Sequence, residues 1–217
     1  MNSIKQVLWA AGLSAITGVA SAAPCAQFTD VDSTSTFCPN VEWIRNRGVT
    51  LGCEAGLYCP NASVSRLAMA AFMNRLGTAL TPQQLVVDAA PGVIDLDANP
   101  VVCQTSATQI ADFPRQAFLD LAFAGRATAQ IDIAADLVMS TDGGATWTDL
   151  TIVANRGSVA ANSWGHVANL ATVDLDVGQT ARFGVRMQRV AGGVDLADSR
   201  CKLRVLLLSR DGAAPPF

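Results

Sequence analysis

The placement of six cysteines constrains this 217-residue chain more than any other sequence feature. Four of them fall within residues 25–59 and two stand far apart later, which predicts two modules with different folds. No Cys-x-x-Cys occurs and the one histidine, His166, is distant from the cluster. Disulfides are therefore favoured over a zinc site, and no metal or cofactor is expected. The six are Cys25, Cys38, Cys53, Cys59, Cys103 and Cys201.

Three disulfides are predicted from these positions. The pair Cys53–Cys59 would close a short loop, and the pair Cys103–Cys201 would join the first and last strands of the second module. The pair Cys25–Cys38 follows by elimination. Exchange among the four clustered cysteines stays open, because six cysteines allow many pairings.

The first 22 residues have the pattern of a secretory signal peptide. Lys5 supplies a positive charge, an apolar run follows, and Ala-Ser-Ala at 20–22 forms a small-residue cleavage site. A membrane anchor is the alternative, but the run contains Gly and Ser and is shorter than the ~20 residues that span a bilayer. A lipid anchor at Cys25 is disfavoured because Pro24 precedes it. We expect a mature protein without a membrane span that is secreted, periplasmic or at the cell surface.

The charge pattern argues against nucleic acid as a partner. The net charge is −3, and charged residues make up only 15% of the chain. The only lysines are Lys5 and Lys202. No basic stripe is present that would follow a phosphate backbone.

Residues 23–77 are predicted to form a small helical module. In the segment CPNVEWIRNRG, Pro39 lies near a helix start and Gly48 stands where a left-handed cap belongs. A second helix is predicted over 65–76 and is expected to end at Gly77, because apolar residues recur there at helical spacing. This apolar stripe consists of Met69, Phe72, Met73 and Leu76.

The remainder of the chain is predicted to be a linker and a β-domain. Residues 78–100 carry three aspartates, three prolines and no basic residue, which is typical of a linker that contains at most one short extended piece. Residues 101–212 contain apolar or alternating segments that suit an antiparallel β-sandwich of about seven or eight strands, and 213–217 form a tail. The expected fold class is α+β multidomain, with a disulfide-linked helical module before an antiparallel β-sandwich. The predicted strands lie within 101–110, 116–125, 129–140, 171–177, 181–190 and 201–209.

Four short motifs occur in order within residues 28–77. They are Phe-Thr-Asp-Val from position 28, Gly-Val-Thr-Leu-Gly from 48, Tyr-Cys-Pro from 58 and Val-Ser-Arg-Leu-Ala from 64. In these motifs the segment resembles a single, cysteine-containing S-layer homology (SLH) domain. The resemblance implies a module that binds cell-wall polysaccharide and holds the protein on the cell envelope.

The resemblance also implies a ligand-binding site. Arg66 matches the arginine that is a principal contact of the family to anionic sugar, and Ser65, Trp43 and Asp30 are assigned to the same site. The expected partner is cell-wall polysaccharide or another envelope glycan. Ser65 is expected to keep the N-cap of the helix, but the chain departs from the family at Ala68, which replaces the Glu of the capping box. It also has one module where the family commonly assembles three, which leaves an oligomer open.

The position of Arg66 carries its own physical argument. An arginine in the first turn of a helix opposes the helix macrodipole, and an anion bound at that turn would offset this effect. The alternative is a solvated Arg66 whose aliphatic stem packs on Trp43 or Tyr58.

No catalytic arrangement is predicted. The segment STDGGATW at 140–147 matches the Asp-box pattern and is interpreted as a structural hairpin, because it occurs once. His166 is expected in an exposed loop, and no Gly-x-Ser-x-Gly is present. The leading hypothesis is a non-enzymatic envelope protein. The alternatives are a carbohydrate-binding or adhesion protein with its ligand on the β-sandwich, and an orphan secreted hydrolase.

We predict that the mature protein begins near Ala23, because the small-residue site at 20–22 precedes it. N-terminal sequencing of the protein from periplasm or culture fluid checks this. Recovery of an intact Met1 in a membrane fraction would contradict it.

Overall fold

Antiparallel β-strands form most of the regular structure in the computed structural model, which describes residues 23–110, 113–150 and 155–210. The expected signal peptide and the tail at 213–217 lie outside these residues. Neither described helix is both long and apolar enough to cross a membrane. The elements in chain order are β1 (Pro24–Cys25), β2 (Phe28–Asp32), α1 (Cys38–Asn46), α2 (Arg66–Leu80), β3 (Gln83–Ala89), β4 (Val101–Val102), β5 (Thr108–Gln109), β6 (Arg115–Ala127), β7 (Ile131–Ser140), β8 (Thr148–Asp149), β9 (Asn155–Val159), β10 (Trp164–Leu175), β11 (Thr180–Ala191) and β12 (Leu196–Ser209).

The first sheet has four antiparallel strands in the order β10–β6–β12–β3. Along β6 and β10, more buried and more exposed residues alternate, as expected when one face packs on a core and the other meets solvent. In β6, for example, Leu119, Leu121 and Phe123 are buried, whereas the residues between them point outward.

The second sheet runs in the order β4–β11–β7–β8, with β5 added to β11 and β9 added to β7. Its inner residues, such as Ile133, Leu137 and Phe183, belong to the same buried cluster as the inner residues of the first sheet. Two sheets that share one apolar layer in this way form a sandwich. The predicted antiparallel β-sandwich is therefore confirmed.

Residues 78–100 are not the linker that the sequence predicted. Helix α2 continues to Leu80, past the expected end at Gly77, and β3 pairs with β12 along its whole length. Ile94 and Leu96 are then buried in the core of the sandwich. The prediction was wrong because the prolines and aspartates obscured the short alternation of apolar residues in β3. The sandwich begins at β3 rather than at residue 101.

The N-terminal part contains the hairpin β1–β2 and the two helices. Pro39 lies in the first turn of α1, and Gly48 adopts a left-handed conformation with φ of 64° just after it, as predicted. A small separate core forms around the fully buried Phe28, with Val31 and Val41 beside it. A third small cluster joins this part to the sandwich through Phe113.

The apolar stripe predicted on α2 is only half buried. Phe72 and Leu76 pack against Ala79, which is buried. Met69 and Met73, by contrast, are 50% and 61% exposed. A unit of two short helices is too small to cover both sides of α2, so the buried face is narrower than the stripe.

The three predicted disulfides are confirmed. Cys25–Cys38, Cys53–Cys59 and Cys103–Cys201 have Cα–Cα separations of 5.7, 6.0 and 6.4 Å. Cys103 follows the edge strand β4 rather than lying in the first strand, and Cys201 lies in β12 of the opposite sheet. The third bridge therefore links the two sheets across the core. No disulfide joins the N-terminal part to the sandwich.

Two glycines allow β9 and β10 to approach closely at one corner of the sandwich. A Cβ atom at Gly165 would lie 2.7 Å from Cγ2 of Val159 and 2.8 Å from the carbonyl oxygen of Ser158. A Cβ atom at Gly157 would lie 2.6 Å from Cγ2 of Val167. Neither strand has room for a side chain at these positions.

We predict that Gly165→Ala lowers the free energy of unfolding by about 1–3 kcal/mol, because strands or side chains must shift to admit the methyl group. Gly193→Ala is the matched control, since its Cβ would meet no atom within 4 Å. Its effect should stay within about 0.5 kcal/mol. Urea unfolding measures both, and equal stability of the two variants would contradict the close approach.

Candidate functional site

The loop between α1 and α2 is fixed at several points. The Cys53–Cys59 disulfide closes it. Asp30 in β2 accepts hydrogen bonds from the backbone N–H groups of Tyr58 and Cys59, at 2.8 and 2.7 Å. The Tyr58 ring packs on buried Phe28, with ring centroids 5.4 Å apart. The disulfide, the carboxylate and the aromatic contact together leave this loop little conformational freedom.

The contacts of Asp30 shift its pKa. Asp30 is exposed, and the slight desolvation of its carboxylate raises the pKa, but the backbone N–H donors of Tyr58 and Cys59 outweigh this effect and hold the pKa below its usual value. Asp30 is therefore ionised at neutral pH, with each carboxylate oxygen bonded to the loop. These bonds give Asp30 a structural role. Its assignment to ligand binding stays a prediction.

A groove of about 570 Å³ lies on one side of the loop, between β2 and α1. Tyr58 and Phe37 give it aromatic surface, and Phe37 is 69% exposed. Asp32, Ser35 and Asn40 add polar groups to its lining. A mainly apolar groove with a few placed polar groups is the usual form of a small-ligand site.

A smaller hollow of about 230 Å³ lies on the other side of the loop, against the start of α2. Its lining includes Thr50, Val64 and Phe72. Tyr58 and Pro60 line both the groove and this hollow, so the disulfide-linked loop is the wall between them. The rigidity of the loop thus sets the shape of two neighbouring depressions.

The start of α2 has the cap that the sequence predicted. Ser65 is extended, and its Oγ accepts a hydrogen bond from the N–H of Ala68 at 3.1 Å. No acidic residue occurs in the first turn. Arg66 is exposed there and forms no ion pair with any residue in the part of the chain that the structure describes. A cation and the free N–H groups of a first turn therefore meet at this end of the helix.

Trp43 lies in α1. It is 37% exposed on α1, and the guanidinium of Arg47 stacks over its ring at 4.3 Å from the centroid. Neither Trp43 nor Arg66 lines the groove or the hollow beside the loop. The four residues assigned from the sequence therefore do not converge on one pocket. Tyr58 belongs to one of the sequence motifs, but the sequence analysis did not predict its position between the groove and the hollow.

The Asp-box segment forms a tight turn after β7. The Asp142 carboxylate accepts hydrogen bonds from the hydroxyl and N–H of Thr146 at 2.5 and 2.9 Å and from the Ser140 hydroxyl at 2.7 Å. These donors hold the pKa of Asp142 well below its usual range. A carboxylate engaged within its own turn supports the structural interpretation of this segment.

His166 does not lie in a loop, as the sequence analysis expected. It is an exposed residue within β10, directly opposite Ala124 in β6. The alternation in this part of β10 was missed because Gly165 and Asn169 interrupt the apolar pattern.

No protein-family model matches the chain, and no curated protein does. A chain from infectious bursal disease virus Gx strain is 12% identical, with a TM-score of 0.37 over 63% of this chain and 34% of that chain. Eiger TNF from S. frugiperda is 11% identical, with a TM-score of 0.36 over 64% and 98%. The CBM35 of Abf62 from Cellvibrio japonicus is 15% identical, with a TM-score of 0.25 over 61% and 100%. Structural similarities with TM-scores below 0.5 do not support an inference about function.

We predict that the amide resonances of Tyr58 and Cys59 titrate together in acid. The folded-state pKa of Asp30 is depressed, so its stabilising bonds are complete above the unfolded-state pKa of about 3.9 and are lost as the pH falls through the lower folded value. Amide NMR spectra recorded between neutral pH and acid measure this. Asp30→Asn should abolish the titration.

Asp32→Asn is the control for this titration. The Asp32 carboxylate lies in the same strand but accepts from the N–H and hydroxyl of Thr34, not from the loop. The loop amides should therefore titrate as in the wild type. Amides that still titrate in Asp30→Asn would contradict the proposed contact.

Proposed function

We propose that this protein is a secreted, non-enzymatic component of the bacterial cell envelope whose N-terminal part, residues 23–80, binds an envelope glycan. The observation that carries the proposal is an exposed Arg66 guanidinium at the capped start of α2. It stands next to a loop that Cys53–Cys59 and Asp30 hold in place.

The chemistry of this helix start suits an anionic sugar. A guanidinium presents paired N–H donors that match a carboxylate or phosphate in bidentate fashion. The first turn of α2 adds its own N–H groups, and no acidic side chain in that turn competes for them. Arg66 forms no ion pair within the described residues, so an anionic ligand would not have to displace an internal partner.

The groove beside the loop supplies a place for neighbouring sugar units. The aromatic surfaces of Tyr58 and Phe37 can cover the apolar face of a sugar ring, while Asn40 and Ser35 can bond its hydroxyl groups. The fixed loop limits the conformational entropy that ligand binding would remove. We propose that the groove binds sugar units of the same polysaccharide molecule whose anionic group is bound at Arg66.

The disulfides and the sequence motifs support the proposed location. Three disulfides are typical of proteins in oxidising compartments outside the cytosol. The four motifs that resemble an SLH domain fall on the elements that form this site. One small module offers few contacts, so we expect firm attachment to a repeating polymer only when several copies bind it together.

We predict that Arg66→Ala removes most of the sedimentation of the mature protein with purified cell wall, while its melting temperature stays unchanged. Arg66→Lys should recover only part of the binding. An ammonium group lacks the planar pair of N–H donors with which a guanidinium binds both oxygens of a carboxylate. Added salt should weaken wild-type binding, since an exposed charge contact is screened.

Arg75→Ala is the matched control. Arg75 lies further along the same helix and also lacks an ion pair within the described residues, but it is remote from the first turn. Its removal should leave sedimentation intact. Undiminished sedimentation of Arg66→Ala would refute the proposed contact.

A further inference from the structure

The outer face of the four-stranded sheet contains a groove of about 550 Å³ that crosses all four strands. Phe118, Leu170 and Leu206 form its apolar surface and are 40%, 74% and 38% exposed. In the strand register Phe118 faces Leu206, and Leu170 faces Asp120. The three side chains thus lie side by side along a diagonal of this face, which also exposes Val86 and Trp164. Exposed apolar surface of this kind is common at binding sites.

Two opposite charges lie within this groove and do not pair with each other. Asp120 in β6 and Arg204 in β12 are directly opposite in the register, where Cβ atoms are about 5 Å apart. No ion pair within 4 Å joins either of them to any residue that the structure describes. The amide of Gln84, also in the groove, has no hydrogen bond to these residues either.

Some polar residues near the groove on the same face do form contacts with each other, whereas Arg200 on that face, like Asp120 and Arg204, has no ion pair within the described residues. Lys202 and Asp88 form an ion pair of 3.5 Å on one side of the groove. Gln116 donates to Asp174 at 3.0 Å on the other side. Asp120 and Arg204 are both exposed in the groove, so an external group can reach both of them.

We infer that this groove is a second ligand site, which binds a neutral saccharide. A hydroxyl group can donate to Asp120 and accept from Arg204 at once, which a carboxylate or an ammonium group cannot do. The two charges cancel, so a charged ligand of either sign would meet a like charge. The patch of Phe118, Leu170 and Leu206 covers the C–H face of a sugar ring.

The strands make this site rigid. Asp120 and Arg204 lie in the two central strands, β6 and β12, which pair over thirteen positions. Binding therefore requires little ordering of backbone, and the side chains approach the ligand from fixed positions. The inference does not rest on the proposed function, because it uses a different sheet face and a ligand of different charge.

The test uses the mature full chain, labelled with ¹⁵N, and a set of neutral pentasaccharides built from glucose, mannose, galactose, xylose or N-acetylglucosamine. We expect at least one of them to shift amide resonances of β6, β10 and β12 in a saturable manner. Asp120→Asn and Arg204→Ala should each weaken that binding by about tenfold, since each removes a charge-assisted hydrogen bond. An oligoglucuronate should bind more weakly than its neutral counterpart.

Arg200→Ala is the matched control for Arg204→Ala. Arg200 lies on the same strand and the same face, is exposed and has no ion pair within the described residues, but it stacks over Trp164 outside the groove. Its removal should change the affinity by less than about twofold. Amide shifts in β6, β10 and β12 rather than in residues 23–80 separate this site from the one on the N-terminal part.

Three results would overturn the inference. The first is the absence of amide shifts with every neutral pentasaccharide at millimolar concentration. The second is tighter binding of oligoglucuronate. The third is a set of shifts that depends on protein concentration rather than on saccharide, which would make the groove an interface between two copies of the chain. Near-ultraviolet circular dichroism of each variant confirms that its fold is retained.

Discussion

The burial of alternate side chains between two sheets is the interaction on which this structure depends. Each long strand of the first sheet sends every second residue into a shared apolar layer, where Leu121, Phe183 and Leu203 are fully buried. Because strand side chains alternate with a period of two, the same pairing fixes which residues face outward. The strand register that places the core residues inside therefore also places Asp120 and Arg204 side by side on the outer face.

The N-terminal part lacks such a layer and relies on local constraints. Its small core is centred on Phe28, and two disulfides limit the chain around that core. Asp30 then connects β2 to a loop far along the chain, through a charge that is bonded to backbone rather than to another side chain. A few specific contacts, namely the disulfides and the Asp30 hydrogen bonds, therefore hold the loop between α1 and α2 in one conformation although the hydrophobic core of this part is small.

The disulfides and helix caps were predictable from the sequence, whereas the contacts between residues distant in sequence were not. The positions of the cysteines led to two of the bridges, and the third followed by elimination. Pro39, Gly48 and Ser65 marked helix boundaries, because caps act through neighbouring residues. The groove on the sheet was not predictable, since Asp120 and Arg204 are distant in sequence and meet only through the register of β6 and β12. The strand β3 was missed because its pairing with β12 overrides a composition that is typical of a linker.

The position of β3 limits how this protein can be divided or recombined. Only Thr81 and Pro82 separate α2 from β3, so this dipeptide is where the N-terminal part ends without a cut through a strand. A fragment that begins at residue 101 would leave one side of β12 without its backbone partners and would remove Ile94 and Leu96 from the core. An exposed strand edge of this kind pairs readily with other chains. Gene fusions that exchange the N-terminal part should therefore join at these two residues, and junctions placed later should yield chains that aggregate.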